Sequence, residues 1–323
     1  MAKYKIHSTC ALVIGKKRAC LYDFLRETKL FISLETALFL TSNSLIDKFK
    51  PNPIEIQELI SHEIIYNANK FKGFTPAIFK YDDCSYISNL VIEYSEIYED
   101  ENVIEGVINS INYLLIKGVQ IIISNYNHLE NVDLLLHKLH DSFVRDIEIV
   151  ITISNYNKVK PAIKKIIKHN RVNYVLALNK NVETLQIEER VIQINPKLYL
   201  SGANTLKFVI NRTLYSESLE FNTYFNKKMF FNKNAEILNA PEYNVVFGNV
   251  KDIQSKLSWI KIISSEKFQY YWNAKKNDCN VCRDCEYKHM CVDKRLPTKI
   301  NQNLWNFSED CNYNPYTLKW KNI

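Results

Sequence analysis

Five cysteines crowd the stretch between residues 279 and 311, spaced Cys279-x2-Cys282-x2-Cys285-x5-Cys291-x19-Cys311. Four or five thiols this close in sequence can supply four soft anionic ligands. Tetrahedral zinc and a [4Fe–4S] cube both require such a set. A metal's positive charge lowers the pKa of its thiols and makes ligation workable at neutral pH. Spacing alone leaves zinc and iron–sulfur both open, beside the plainer reading of buried thiols without metal. The other three cysteines, Cys10, Cys20 and Cys84, are isolated and read as core thiols.

Other chemistries have little purchase. Six glycines are spread over 323 residues, with no two placed to cradle a phosphate, so a dinucleotide fingerprint and a P-loop are excluded. The seven histidines are dispersed; His137 and His140 share a helix face, and these two and His128 read as surface residues. No nucleophile-elbow signature occurs. The net charge of +7 is modest, and no basic run interleaved with aromatics stands out, so no nucleic-acid partner is expected. The opening residues lack a signal-peptide core and no apolar run could span a bilayer. The expectation is a cytoplasmic protein with no membrane partner, whose thiols stay reduced.

The elements that must position these residues fall into three stretches. In residues 1–82, Cys10–Ile14, Ala19–Phe24 and Leu30–Ile32 read as strands and Leu34–Leu40 as a helix. Asn52-Pro53 opens a second helix, with Ile54, Ile56, Leu59, Ile60 and Ile64 on one face. In residues 83–200, Ile123-Ser124-Asn125-Tyr126-Asn127 recurs thirty residues later as Ile153-Ser154-Asn155-Tyr156-Asn157. Each copy ends an apolar strand and precedes a helical pattern, which predicts successive βα units and a parallel sheet. The stretch is too short for eight units, so a partial, open barrel is expected. The repeated asparagines either form a binding rim at the strand ends or cap the helices that follow. Residues 201–323 hold a predicted hairpin, Met229–Phe231 with Glu236–Leu238, then a helix over Ile253–Ile263, then the cysteines.

The segment Cys282-x2-Cys285-Glu286-Tyr287-x3-Cys291, with Asp293, Arg295, Trp305, Cys311-Asn312-Tyr313-Asn314-Pro315-Tyr316 and Trp320, resembles the C-terminal region of SPASM-domain proteins. It is most similar to the peptide maturases of grasp-with-spasm systems, which are encoded beside an ATP-grasp ligase and a short precursor peptide. Tyr22-Asp23, Phe221-Asn222-Thr223 and Phe247-Gly248-Asn249 fit the same family. The first stretch resembles the winged-helix peptide-binding units of peptide-modification systems.

The resemblance implies an α/β protein in three parts: a winged-helix-like α+β recognition unit (1–82), a partial (β/α) barrel (83–200) and a cysteine-rich SPASM-like domain (201–323). It implies one [4Fe–4S] cluster on Cys282, Cys285, Cys291 and Cys311, with zinc as the alternative. Cys279 is either a fifth metal thiol or a bystander. Tyr224, Ala240 and Lys294 or Arg295 stand where a second auxiliary cluster would need cysteines. No C-x3-C-x2-C loop is present, so S-adenosylmethionine is not an expected cofactor and radical catalysis is not expected. Whether the chain is an enzyme stays open. The implied partners are a ribosomal precursor peptide and an ATP-grasp ligase. A redox or peptide-modifying enzyme and a zinc-binding interaction module are the alternatives.

Overall fold

The computed structural model describes residues 4–42, 50–71, 77–182, 186–196, 199 and 208–321. They divide into two compact units: Met1–Asp82 with Gly202–Tyr224 and Trp272–Ile323, and Asp83–Ser201 with Phe225–Tyr271. The three consecutive segments expected from sequence are therefore regrouped, and the expected boundary at 200–201 lies outside the described residues.

The first unit begins with β1 (Tyr4–Ile6), then the antiparallel meander β2 (Cys10–Ile14), β3 (Ala19–Asp23) and β4 (Thr28–Ile32). Helices α1 (Leu34–Thr41) and α2 (Pro53–Ser61) follow, and β5 (Ile65–Asn67) pairs back on β1. The Ser33 side chain caps α1, and Asn52 caps α2 with Pro53 in its first turn, where a missing N–H is harmless. In α2 the buried positions are Ile56 and Leu59. Ile54 is 74% exposed and Ile60 43%, so the expected apolar face is narrower than its spacing implied. All five residues of β3 are buried, because the meander is covered on both faces. Cys10, Leu21 and Ile32 pack with Ala37 and Leu59 of the helices, while Ala11, Cys20 and Tyr22 pack with Tyr287, Met290 and Tyr313 from the far end of the chain. Cys10 and Cys20 are thus core thiols, whereas Cys84 is exposed, contrary to its expected burial.

The second unit is a mixed α/β body built on β6 (Asn89–Glu93), β7 (Gly118–Ile123), β8 (Asp146–Ile153), β9 (Val172–Asn179), β10 (Gln186–Glu188), β11 (Val191–Ile194), β12 (Lys228–Phe231) and β13 (Ile237–Leu238). They form one sheet in the order β10-β11-β9-β8-β7-β6-β12-β13. The six inner strands run parallel, with an antiparallel strand at each edge. Helices α3 (Glu101–Leu114), α4 (Val132–His140) and α5 (Tyr156–Ile166) connect successive strands. By the general right-handedness of parallel βα crossovers, helices joining neighbouring strands in one direction along the sheet fall on one face.

The predicted hairpin of the third segment forms, with β12 antiparallel to β13, and β12 also lies parallel beside β6, which makes it an inner strand of this sheet. Lys228–Phe231 is buried at every position, as a parallel strand covered on both faces must be. The predicted helix over Ile253–Ile263 starts at Lys256, after Ser255, whose side chain caps it. Gly106 of α3 is required by close approach, since a Cβ there would sit 2.6 Å from the Val250 carbonyl oxygen. Asn125 and Asn155 accept hydrogen bonds from the N–H groups of Asn127 and Asn157, at 3.1 and 3.0 Å, so both are caps.

The first unit is completed by α6 (Arg212–Glu220) and four 3₁₀ or hairpin pieces around the cysteines: the 3₁₀ turns Lys276–Asp278 and Cys282–Asp284, β14 (Pro297–Asn301) with β15 (Leu304–Phe307), and β16 (Tyr313–Asn314) with β17 (Lys319–Trp320). Among the described residues, no helix is long and apolar enough to cross a membrane.

Candidate metal centre

The cysteine loop is held by its backbone before any metal is considered. Buried Asn222, just beyond α6, donates from its side chain to the Ala274 carbonyl at 3.0 Å and from its N–H to the Trp272 carbonyl at 2.7 Å. Asn280 N–H donates to the Trp305 carbonyl at 2.9 Å. Between Asn280 and Cys282 the chain makes a γ-turn, with Val281 at φ 64°, ψ −50° and Cys282 N–H donating to the Asn280 carbonyl at 2.6 Å. A β-branched residue in that region is strained by about 1–3 kcal/mol, and such strain collects at functional sites. Here it aims Cys282.

All eight cysteines are free thiols. Cys282, Cys285, Cys291 and Cys311 converge: Cys282 is an electrostatic neighbour of Cys311, Cys285 of Cys282 and Cys291, and Cys291 of Cys282 and Cys311. Cys282 and Cys311 open onto a cavity of about 220 Å³ lined also by Arg295, Phe307 and Tyr313. Tyr287 N–H donates to Cys285 Sγ and Tyr313 N–H to Cys311 Sγ, both at 3.4 Å. Each N–H comes from two residues beyond its cysteine, so the same local turn is made twice. Hydrogen bonds of this kind stabilise charge on a ligating sulfur and tune a cluster's potential.

Cys279 behaves differently. It is fully buried, and its thiol donates to the Lys275 carbonyl at 3.4 Å and approaches the Ala274 carbonyl at 3.8 Å. Cys279 is also an electrostatic neighbour of Cys282, and these carbonyl contacts are the partners of its protonated thiol. Burial pushes the Cys279 and Cys291 thiols up to about 12, and burial also raises Cys282 and Cys285. Without a cation these sulfurs keep their protons, and a metal must displace them.

The distances bear on which group fits. Tetrahedral zinc with bonds of about 2.3 Å brings its sulfurs to about 3.8 Å from one another. The thiolates around a [4Fe–4S] cube stand about 6 Å apart. Which of these spacings the four sulfurs take when loaded decides between the two groups.

Charge bears on the fit as well. Lys276 is 2% exposed, an unusual place for a lysine, and its Nζ lies 2.8 Å from Asp293 Oδ2. Arg295 donates to the same carboxylate from Nη2 at 2.6 Å and from Nε to Oδ1 at 3.0 Å. Both cations also face the Phe307 ring, at 4.6 and 4.5 Å from its centroid. Burial opposes the Asp293 charge, but the two cations outweigh it and hold the carboxyl well below the usual range. Two cations against one anion leave a net positive charge beside Cys282, Cys291 and Cys311. An all-thiolate [4Fe–4S] centre is an anion, and this excess offsets it. The residues present therefore fit such a group, which Cys282, Cys285, Cys291 and Cys311 would hold.

No family model matches this chain, and no curated protein matches it either.

The structure also gives contacts to residues for which the sequence assigned no role. Glu286, next to Cys285, is fully buried; it accepts from Arg18 Nε at 2.7 Å and from the Tyr313 hydroxyl at 2.5 Å, while Tyr22 donates to its carbonyl at 2.7 Å. Gly15 permits this contact, since a Cβ there would lie 2.9 Å from Glu286 N. His289, inside the loop, pairs through Nδ1 with Ser218 Oγ at 2.8 Å and is held neutral by burial, its pKa near about 3. Lysine at 276 and arginine at 18 carry no signal in sequence, because isolated cations read as solvated surface.

Proposed function

We propose that this chain is a recognition and maturation protein for a ribosomally made, post-translationally modified peptide. In this reading it acts with an ATP-grasp ligase and holds one structural [4Fe–4S] cluster on Cys282, Cys285, Cys291 and Cys311. The second unit is read as a partial (β/α) barrel, the meander with its helices as the winged-helix-like recognition element, and the cysteine-bearing segments as a SPASM-like domain. The observation that carries the metal part is the convergence of those four thiols beside the net positive Lys276–Asp293–Arg295 group.

The cluster, when bound, supplies metal-coupled folding of a loop-rich segment. The chain's own residues do the rest. Tyr287 and Tyr313 donate N–H groups to sulfur. Arg18, Tyr22 and Glu286 seat the meander on the loop. Among the described residues, β4 has a partner on one side only, β3. Its outer backbone groups can take an extended leader peptide as an added strand, with backbone hydrogen bonds for affinity and side-chain pockets for specificity.

Two measurements test the two parts separately. Anaerobically purified protein should contain iron and sulfide and absorb broadly near about 400 nm. A colourless protein with stoichiometric zinc refutes the cluster. Co-purification with the precursor peptide and ligase encoded beside its gene should succeed, and failure with both partners refutes the recognition role.

A further inference from the structure

We infer that Asp133, His137 and His169 form a second metal site, for a divalent transition-metal ion such as zinc, in the sheet-bearing unit and independent of the cysteines. Asp133 lies in the first turn of α4 and His137 one turn later, so they share a face. His169 belongs to the turn between α5 and β9, where its N–H donates to the Ile166 carbonyl and its carbonyl accepts from Val172 N–H, both at 3.0 Å.

These elements bring three ligand atoms together. His169 Nε2 is 2.9 Å from Asp133 Oδ1, and His137 Nε2 is 3.5 Å from Asp133 Oδ2. One ligand atom from each residue lies within 4.8 Å of the other two. The imidazole rings meet edge to face, 4.9 Å between centroids. Around zinc, bonds of about 2.0–2.2 Å put nitrogen and oxygen ligands about 3–4 Å apart. The set is therefore close to its bound spacing already.

Two imidazoles and one carboxylate favour zinc, cobalt, nickel or copper over magnesium or calcium, which take all-oxygen shells. Three protein ligands leave a fourth position open. It faces solvent, because the His137 side chain is 69% exposed. The ion would keep a water there or accept a ligand from another molecule. Without the ion, Lys165 Nζ neutralises Asp133 from 2.9 Å; this side chain is mostly exposed and free to swing aside. The cluster is thus a charge-balanced pocket whose lysine a metal would displace.

The test is a Co²⁺ titration of the full-length protein with its cysteine site filled, read by difference spectra and native mass spectrometry. Wild type should take up one added equivalent, with weak visible bands and without the near-ultraviolet charge-transfer band of thiolate ligation. His137→Ala, at the surface, and Asp133→Asn should weaken this binding by more than about tenfold. His140→Ala should not. Equal Co²⁺ uptake by wild type and His137→Ala, or uptake showing thiolate charge transfer alone, overturns the proposal. Circular dichroism confirms that each variant is folded.

Discussion

Arg18, in the turn after β2, places its Nε 2.7 Å from Oε1 of Glu286, 268 residues further along the chain. The glutamate is fully buried, and its other oxygen, Oε2, has no hydrogen-bond partner among the described residues. One guanidinium thus carries the neutralisation of a buried carboxylate adjacent to a metal-candidate cysteine. Arg18 also lies over the Phe31 ring, 3.7 Å from its centroid, and donates to the Tyr287 hydroxyl at 3.0 Å.

Removing the cation should therefore cost more than removing the charge pair. Arg18→Ala strands Glu286 and should destabilise the protein by about 3 kcal/mol or more. Glu286→Gln keeps the shape and should cost less. The double variant should be less damaged than the sum of the two, because the second change removes the stranded charge. Urea unfolding of all four proteins checks this; strictly additive effects would deny the coupling.

The thiols separate into two groups by their partners. Serine at 282, 285, 291 or 311 should each lower bound iron and visible absorbance. Cys279→Ala should keep both, because the Cys279 thiol is engaged with the Lys275 carbonyl. Its cost should be stability alone, about 1 kcal/mol for a lost buried hydrogen bond and methylene-sized volume. Iron analysis of the five variants distinguishes a fifth ligand from a bystander.

Lys276→Met removes the buried cation while leaving Arg295 on Asp293. With less positive charge beside the thiols, an anionic cluster should be harder to reduce, and its midpoint should move to a more negative potential. Protein-film voltammetry of the variant reads the shift directly. An unchanged midpoint would mean that Lys276 serves Asp293 alone.

Much of this architecture was legible because local rules and global fold agree. The recurrent strand–asparagine–helix pattern marks the parallel sheet, and Asn125 and Asn155 mark its helix starts. Cysteine spacing marks the metal candidate. What could not be read depends on distance in sequence. β12 reads locally as half of a hairpin, and only its pairing with β6 makes it an inner strand. Arg18 with Glu286 and Lys276 with Asp293 are chosen by tertiary contact. The Asp133–His137 spacing was available as an i, i+4 pair on one helix face, but His169 lies 36 residues from Asp133 and completes the set only after α5 folds back.

Asp23 gives a prediction whose sign depends on pH. It ends β3, is 2% exposed, and is ringed by donors: Arg26 Nη1 at 2.8 Å, Leu25 N–H at 2.9 Å and Arg26 N–H at 3.1 Å. Burial raises its pKa, but the Arg26 side chain and the two N–H groups together outweigh burial and lower it. A carboxyl depressed on folding binds fewer protons folded than unfolded. Its stabilisation is complete above the unfolded value of about 3.9 and fades as pH falls through the folded one. Asp23→Asn should thus cost a constant amount, about 1 kcal/mol, between about pH 5 and 8. That cost should shrink below about pH 4, as the wild-type carboxyl takes up its proton and the two proteins converge. Urea unfolding of both proteins across this range checks the convergence; a gap that widens on acidification would show that burial, and not Arg26, governs this carboxyl.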